Sequence, residues 1–468
     1  MKYQALNPIL PGWEYIPDGE PHVFGDRVYL YGSHDRFNGD DYCQNNYVCW
    51  SAPINDLSDW TFHGEIFDVS TDPLNTTGKI CGYAPDCCRG PDGRYYLYYA
   101  LNNHTAMSVA VCDTPAGNFR FLSHMKTQNG RVYGTAEGDA YIFDPAVIVD
   151  DDGRAHMYMG FSPTCYMGEL SEILKKFRTE GCHYLELCED MVTVKTEPVL
   201  IVPGVNKAKG TSFEGHAFFE APSIRKLFCK YYFVYSSEHF QELCYAVSDS
   251  PSGPFEYKGR LVSNGDIGIN GNNTPLNHIG NNHGGILNIG NDYYIFYHRH
   301  TNNTAYSRQA CAEKLTLTDD NTFLQSELTS CGLNCGPLKA EGKYSATIAC
   351  NISCDMVSPP YITQSGVDRE ENDDQYIKGI TNGAFVGFKY FNFKGTENIS
   401  VTVKSTETAV IEVSADISFN KVCYINIEAS YSPTVFELKE PLNYNGIKPL
   451  FFRYKGNGTC DFYSFNFS

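Results

Sequence analysis

The chain has 468 residues, roughly two or three domains' worth, and its 55 acidic against 36 basic side chains give a formal net charge of -19. This charge disfavours nucleic acid and anionic membrane surfaces as partners, and no apolar run approaches the length of a membrane span. Abundant Tyr, Phe and Gly with few charged residues favour an all-β protein.

The N-terminal segment MKYQALNPILPGWEYIPDGEP has one early lysine and no apolar stretch of the kind found in secretion signals. Cysteines are scattered along the chain, and many fall within strand-like segments. Neither Cys87-Cys88 nor Cys331 with Cys335 has the paired spacing of a zinc site. We therefore expect a cytoplasmic protein whose cysteines are mostly reduced and buried.

A turn followed by a Tyr-rich strand recurs along the first two thirds of the chain, at intervals of about 60 to 75 residues. Gly or Asp-Gly turns between alternating strands indicate hairpins. The copies are VFGDRVYLYGS, RGPDGRYYLYYA, VDDDGRAHMYMG, RKLFCKYYFVYSS and NIGNDYYIFYHR, beginning at Val23, Arg89, Val149, Arg225 and Asn288. Five such units predict a five-bladed β-propeller around a central channel. A long β-sandwich or two barrels is the alternative.

A short strand precedes each repeat, and in a propeller it would be the innermost strand of its blade. Equivalent positions on successive blades converge at one end of the channel. Each short strand carries a distinctive polar residue: Asp18 in IPDGEP, Asp86 in GYAPD, Asp144 in FDPA, Glu220 in FEAP and His283 in NNHGG. Converging carboxylates repel one another and are costly to bury, which indicates chemistry or a metal rather than separate turns.

Paired carboxylates suit glycoside hydrolysis. One must be protonated to assist the leaving oxygen, and another must be ionised to activate water or attack the sugar carbon. Different surroundings push the two pKa values apart. The sequence contains no Ser nucleophile elbow, phosphate-binding Gly loop or HExxH metal helix.

The propeller region also resembles glycoside hydrolase family 43. The motifs NPILPGWEYIPDGEPHVFGDRVYLYGSHD, FDPAVIVDDDG, FFEAPSIRK and NNHGG carry this resemblance in order. It implies that Asp18 is the general base, that Glu220 is the general acid, and that Asp144 tunes the acid's pKa and orients substrate. Glu20 is the base in a competing alignment of the first motif.

The resemblance implies further contacts around the same pocket. His283 would lie at the channel centre beside a cation such as calcium, bound through water. Arg299 in YHRHTN matches a position where the family often has a substrate-contacting arginine. His34 and Asp35 end the first-blade strand and would line the sugar pocket, or form a hydrogen-bonded structural pair. Asp86 is expected to face the channel as a further substrate-binding residue.

The repeats stop near Gly336-Pro337, where alternating strands of another kind begin. We predict a propeller over residues 1–335 and a jelly-roll-like β-sandwich over 336–468. The segments QYIKGITNGAFVGFKYFNF and FFRYKGNGTCDFYSFNFS resemble family 6 carbohydrate-binding modules, in which an aromatic often follows the position of Asn382-Gly383. Ala384 stands there, so a domain that packs without binding sugar is the alternative.

These features predict an exo-acting, inverting glycosidase that acts on plant oligosaccharides, as an α-L-arabinofuranosidase or β-D-xylosidase. Another furanosidase or galactosidase of the same fold is one alternative. A non-catalytic sugar-binding propeller is a second, and the presence of all three carboxylates argues against it. A phosphorylase or transferase is a third; it needs a basic phosphate pocket, for which only Arg299 and Arg308 are candidates.

Overall fold

A computed structural model describes residues 4–163, 169–372, 374–395 and 398–468. Five four-stranded sheets follow one another along the chain, each made of consecutive antiparallel strands. Two six-stranded sheets form the C-terminal part. The predicted fold, a five-bladed propeller followed by a β-sandwich, is confirmed. No helix in the described part of the chain is long and apolar enough to cross a membrane.

The blades contain strands β1 to β20 in chain order. Blade 1 is β1 (Glu20–Phe24), β2 (Arg27–Tyr31), β3 (Tyr47–Pro53) and β4 (Thr61–Phe67). Blade 2 is β5 (Gly82–Arg89), β6 (Tyr95–Leu101), β7 (Met107–Cys112) and β8 (Arg120–His124). Blade 3 is β9 (Ala146–Val149), β10 (Ala155–Met159), β11 (Gly181–Leu187) and β12 (Val199–Pro203). Blade 4 is β13 (Phe218–Leu227), β14 (Lys230–Ser237), β15 (Glu242–Ser248) and β16 (Glu256–Ser263). Blade 5 is β17 (Ile286–Ile289), β18 (Asp292–His300), β19 (Arg308–Leu317) and β20 (Phe323–Leu324).

Short helices connect some of these strands. They are the α-helices α1 (Glu169–Leu174) and α2 (Val205–Ala208) and a 3₁₀ turn at Val69–Thr71, and a second 3₁₀ turn at Ala346–Ile348 lies in the C-terminal part.

Apolar and tyrosine side chains between neighbouring blades hold the ring together. A separate buried cluster lies between each consecutive pair of blades. A fifth cluster joins blade 5 to blade 1 and includes Val28 on β2 with Tyr294 and Phe296 on β18. A backbone bridge between Gly19 and Gly284 also links these two blades at the channel. Burial of both faces of each blade explains why the repeated strands are rich in aromatic residues.

The C-terminal sandwich contains strands β21 to β32. One sheet contains β21 (Leu338–Lys339), β23 (Asn351–Ile352), β26 (Phe385–Lys394), β28 (Ala409–Ser414), β29 (Cys423–Ile427) and β31 (Asn445–Lys455). The other contains β22 (Gly342–Ser345), β24 (Tyr361–Gln364), β25 (Gln375–Ile380), β27 (Ile399–Ser405), β30 (Thr434–Glu437) and β32 (Cys460–Phe467). Ala384 is fully buried in the core between the sheets, so this position packs the sandwich. Carbohydrate binding by the sandwich stays a prediction.

A loop of the sandwich packs on blade 1. Asp368 accepts hydrogen bonds from the backbone N–H of Phe37 (2.7 Å) and from the Asn45 amide (3.1 Å). Beside it, the Arg369 guanidinium lies 2.7 Å from the buried carboxylate of Glu14. These charged contacts fix the sandwich against the segment that follows β2, instead of leaving it on a flexible tether.

A second anchor joins the sandwich to the propeller through Lys389. The ammonium group of Lys389, on β26, is 2.8 Å from Asp266 and 2.9 Å from Glu327, both in the propeller part of the chain. We expect Lys389→Met to lower the free energy of unfolding by about 3 kcal/mol, because it leaves two carboxylates without their cation. Urea unfolding of this variant and of the matched surface variant Lys394→Met measures the effect. Equal midpoints for the two variants would contradict it.

Candidate active site

The inner strand ends share a backbone feature that aims side chains into the channel. The φ angles of Asp18, Ala84, Asp144 and Ala221 are 57°, 29°, 46° and 62°, in the left-handed region. Each of these residues directly precedes a Gly or Pro, just before the first strand of its blade (Asp18, Asp144) or within the first four residues of that strand (Ala84, Ala221). Aspartate tolerates this region better than most residues, and such strain is concentrated at functional sites. In blade 4, the acidic residue Glu220 lies one position before the left-handed residue.

A pocket of about 470 Å³ opens at this end of the channel. This volume is within the range typical of small-molecule sites. All five blades contribute to its lining, and the polar lining includes Asp18, Asp144, Glu220, His283 and Arg308. The three predicted catalytic carboxylates and the predicted channel histidine therefore meet in one pocket.

Asp18 is held as a carboxylate by Arg308. Arg308 Nη1 lies 3.1 Å from Asp18 Oδ1, and both side chains are almost wholly buried. Burial alone would raise the pKa of Asp18, but the Arg308 charge outweighs it and lowers the pKa to about 2. Asp18 is therefore ionised at any pH at which the protein would work.

Glu220 has the opposite electrostatic surroundings. Burial and the negative charge of Asp144 raise the pKa of Glu220 to about 8. Asp144 accepts a hydrogen bond from the backbone N–H of Ala221 (3.1 Å) and lies 3.8 Å from His283 Nδ1. Burial raises the pKa of Asp144 as well, to about 7, but His283 and the Ala221 N–H favour its ionised form and the pKa of Glu220 is higher, so the proton belongs on Glu220. At neutral pH the pocket thus holds Asp18 as a carboxylate and Glu220 as a carboxylic acid, the pair that acid–base catalysis requires.

The charge of Asp144 makes a testable difference to the pH profile. A general acid works while protonated, so activity falls as pH rises through the pKa of Glu220. We expect Asp144→Asn to move this alkaline limb to lower pH, because it removes a negative charge that raises the pKa. Profiles of kcat/KM against pH measure the shift. Asp72→Asn is the control, because Asp72 is a buried aspartate that bonds Tyr99 and His124 outside the pocket. An unmoved limb in Asp144→Asn would contradict the assignment.

A second polar layer lies deeper in the channel. Glu20 Oε2 accepts hydrogen bonds from Arg225 Nη2 (2.7 Å) and Ser223 Oγ (2.9 Å), and Glu20 is 1% exposed. Glu20 is therefore paired with the Arg225 guanidinium outside the pocket lining, whereas Asp18 lines the pocket itself. This arrangement favours Asp18 over Glu20 as the base.

The deeper layer contains ligand atoms that could bind a cation. Glu20 Oε1 and His283 Nε2 are buried, lie 3.7 Å apart and have no hydrogen-bond partner among the described residues. Ligand atoms of Glu20, His22 and Asp86 lie within 4.8 Å of one another. The two carboxylates of this set, Glu20 and Asp86, offer the oxygen ligands that a hard cation such as calcium takes. Burial opposes a charge on His283, but the carboxylates around it outweigh burial and raise its pKa to about 9.

Two glycines after His283 let blade 5 approach the channel axis. A Cβ atom at Gly284 would lie 2.1 Å from the Phe296 carbonyl oxygen, and one at Gly285 would lie 2.5 Å from Glu20 Oε2. Gly284 therefore allows close packing against β18 within blade 5, and Gly285 allows blade 5 to approach Glu20 of blade 1.

Two predicted substrate contacts in blade 1 bond to other protein groups and do not line this pocket, so their substrate role stays a prediction. The fully buried carboxylate of Asp35 accepts two hydrogen bonds from Arg308, from Nε (2.8 Å) and from Nη2 (2.9 Å). His34 bonds the Asn46 carbonyl (2.6 Å) and Glu14 (3.0 Å), beside the sandwich. Asp35 orients the arginine that holds Asp18, and neither side chain lines the pocket.

The other two predicted substrate contacts also lie outside the pocket lining, because of strand geometry, and their substrate role stays a prediction. Asp86 lies two positions after the left-handed residue of its blade, in the deeper layer, and its buried carboxylate bonds His22 (2.6 Å) and the Val147 N–H (2.7 Å). Arg299 lies opposite Gln309 on β19 and donates to it and to the Ala349 carbonyl of the sandwich. Paired residues on neighbouring strands share a face, so Arg299 lies on the same face as Gln309. Adjacent residues of a strand face opposite sides, so Arg308, next to Gln309, faces the other way and lines the pocket.

Most of the pocket wall consists of residues outside the predicted site. Aromatic rings form much of it: Tyr42, Tyr83, Tyr141, Phe143, Phe161, Phe219 and Phe240. Sugar rings commonly pack against such faces. Phe143 and Phe219 directly precede Asp144 and Glu220 and could have been proposed from that adjacency. The other rings come from positions with no shared spacing.

The chain was compared with known proteins. The sequence model of glycosyl hydrolases family 43 matches residues 5–323. A protein of Thermoclostridium stercorarium named xylosidase/arabinosidase is 45% identical, over 99% of both chains. A Bacteroides ovatus protein with the same name is 30% identical, over 62% of this chain and 87% of that protein.

Solved structures resemble the fold. A family 43 arabinoxylan arabinofuranohydrolase from Bacillus subtilis, in complex with cellotetraose, superposes with a TM-score of 0.54 at 20% identity. The match covers 99% of this chain and 97% of that one. A β-xylosidase/α-arabinofuranosidase from a compost metagenome, in complex with xylotriose and described as a calcium-free form, has a TM-score of 0.54 at 24% identity, over 70% and 98% of the two chains.

Proposed function

Because this chain belongs to glycosyl hydrolase family 43, we propose that it releases terminal α-L-arabinofuranosyl or β-D-xylosyl residues from plant oligosaccharides. The observation that carries the proposal is the pocket in which Asp18 is ionised while Glu220 is protonated. The name of the Thermoclostridium stercorarium relative, which is similar over its whole length, supports this choice of sugars.

The reaction is a single displacement with inversion. Asp18 takes a proton from a water molecule as that water attacks the anomeric carbon, and Glu220 gives its proton to the departing oxygen. Asp144 keeps the pKa of Glu220 high and helps to orient the sugar. Arg308 keeps Asp18 ionised, and it is itself fixed by Asp35.

The position of the pocket supports attack at chain ends. Its lining comes from all five blades, and the buried Glu20–Arg225 pair lies outside that lining. A pocket at the end of a propeller channel suits a terminal residue better than the middle of a polymer. A terminal residue, or a single-sugar branch, can enter it.

The test is a panel of nitrophenyl glycosides, with and without phosphate, followed by NMR of the first product anomer. We expect phosphate-independent hydrolysis of the arabinofuranoside, the xyloside or both, with inverted configuration. Binding without turnover would favour a sugar-binding propeller, and phosphate-dependent cleavage would favour a phosphorylase. A retained anomer would overturn the single displacement.

We further propose that the deeper layer holds calcium. Glu20 and Asp86 would supply carboxylate oxygens and His283 would be linked through water, so that the bound ion adds positive charge beneath the sugar. Complete chelation is expected to lower both the melting temperature and kcat/KM, and calcium is expected to restore them. Glu20→Gln should abolish this response. Unchanged stability and activity after chelation would contradict the proposal.

A further inference from the structure

A cluster of soft and hard metal-ligand side chains lies on blade 4, outside the pocket. Glu242 and Cys244 are two positions apart on β15, so their side chains share one face of the strand. His216 lies just before β13, and His239 lies in the turn between β14 and β15. The ligand atoms of the two histidines and Glu242 lie within 4.8 Å of one another.

The spacing of three of these atoms is close to one face of a zinc tetrahedron. His216 Nδ1 is 2.7 Å from Glu242 Oε1 and 3.8 Å from Cys244 Sγ, and Sγ is 3.4 Å from Oε1. Ordinary zinc bond lengths give about 3.3 Å between nitrogen and oxygen ligands and about 3.6 Å from sulfur to either. To bind a zinc ion, the distance between His216 Nδ1 and Glu242 Oε1 has to increase by only about 0.6 Å.

The surrounding groups already orient these ligands. Ser237 Oγ donates to Glu242 Oε1 (2.6 Å), and Arg260 lies 3.5 Å from Oε2 of the same carboxylate. A ring nitrogen of His239 donates to the Gly215 carbonyl (3.0 Å). Carbonyl contacts of this kind fix the ring of a metal-binding histidine, and ligating carboxylates are themselves hydrogen-bonded.

The cluster is open to solvent on one side. Glu242 and Cys244 are buried, whereas His239 is exposed and the His216 side chain is 28% exposed. An ion can therefore enter from solvent past the two histidines. A thiolate with imidazole and carboxylate ligands favours zinc over calcium or magnesium.

We propose that His216, His239, Glu242 and Cys244 form a zinc site. It would tie the segment before β13 to β15 and to the turn after β14. Glu220 lies four positions after His216, and the pocket residue Phe240 directly follows His239. The site would thus stabilise the part of blade 4 that carries the proposed general acid, without touching the sugar.

Cobalt substitution tests the site without reference to activity. The full chain is stripped with a chelator and titrated with Co²⁺, and the thiolate-to-cobalt absorption band and the bound-metal stoichiometry are measured. We expect one equivalent with a thiolate band, displaced by Zn²⁺. Cys244→Ser should abolish the band, and His216→Ala should weaken binding by at least ~10-fold.

Cys49→Ser is the matched control. Cys49 is fully buried on the third strand of blade 1, as Cys244 is on the third strand of blade 4. This variant should keep the band, which separates the proposed site from damage to any buried cysteine. No thiolate band in the wild-type protein, or an equal band in Cys244→Ser, would overturn the proposal and leave a His216–Glu242 ion pair.

Discussion

Asp18→Asn should lower kcat by up to ~10⁴-fold, the upper range for loss of one acid–base group. The amide keeps the volume of the carboxylate but cannot accept a proton from water. Arg308 remains paired with Asp35, so the fold should survive. Steady-state kinetics give the loss in turnover, and calorimetry should show that the inactive variant still binds its sugar.

The rival base supplies the control. Glu20 is bound to Arg225 below the pocket, so Glu20→Gln should chiefly lower stability and weaken the proposed cation site. Its loss in turnover should be much smaller than that of Asp18→Asn. An inactive Glu20→Gln beside an active Asp18→Asn would make Glu20 the base.

Glu220→Gln should have the second large effect, and its size should depend on the leaving group. Hydrolysis of natural oligosaccharides should fall by ~10² to 10⁴-fold, because the departing alkoxide needs the proton. Activated nitrophenyl glycosides should lose much less, since nitrophenolate departs without protonation. Comparing kcat/KM for the two classes of substrate measures the difference.

Glu313 offers a matched control for this experiment. Burial raises its pKa to about 8, like that of Glu220, but it lies in blade 5 and bonds Asn7 and Thr329 away from the pocket. Glu313→Gln should therefore lower stability without any dependence on the leaving group. Equal losses by Glu220→Gln on both substrate classes would contradict its role as the acid.

The propeller and its convergent polar residues could be predicted from the sequence because both follow a repeat. Each blade buries two faces, so the Tyr-rich strands recur in every blade. Equivalent positions on the inner strands meet at the channel regardless of the length and conformation of the connecting loops. Asp18, Asp144, Glu220 and His283 were proposed on this basis, and the structure brings all four to one pocket.

The roles of the neighbouring polar residues depended on details that a repeat does not encode. Asp86 was assigned to the same layer as Asp18, yet a difference of two positions puts it in the deeper layer with His22. Arg299 and Arg308 look equivalent as isolated charges. Only the pairing of β18 with β19 turns Arg308 toward Asp18 and Arg299 toward the sandwich.

The sequence by itself determined the fold and the ring of chemically active positions, because periodic burial and strand phase are local properties. The protonation states of the site residues, and their hydrogen-bond and ion-pair partners, depend on the tertiary structure. The pKa of Asp18 is set by Arg308, which lies far along the chain, and that of Glu220 by burial and by Asp144. Contacts such as Arg369 with Glu14 likewise join residues whose proximity depends on how the two folded parts pack.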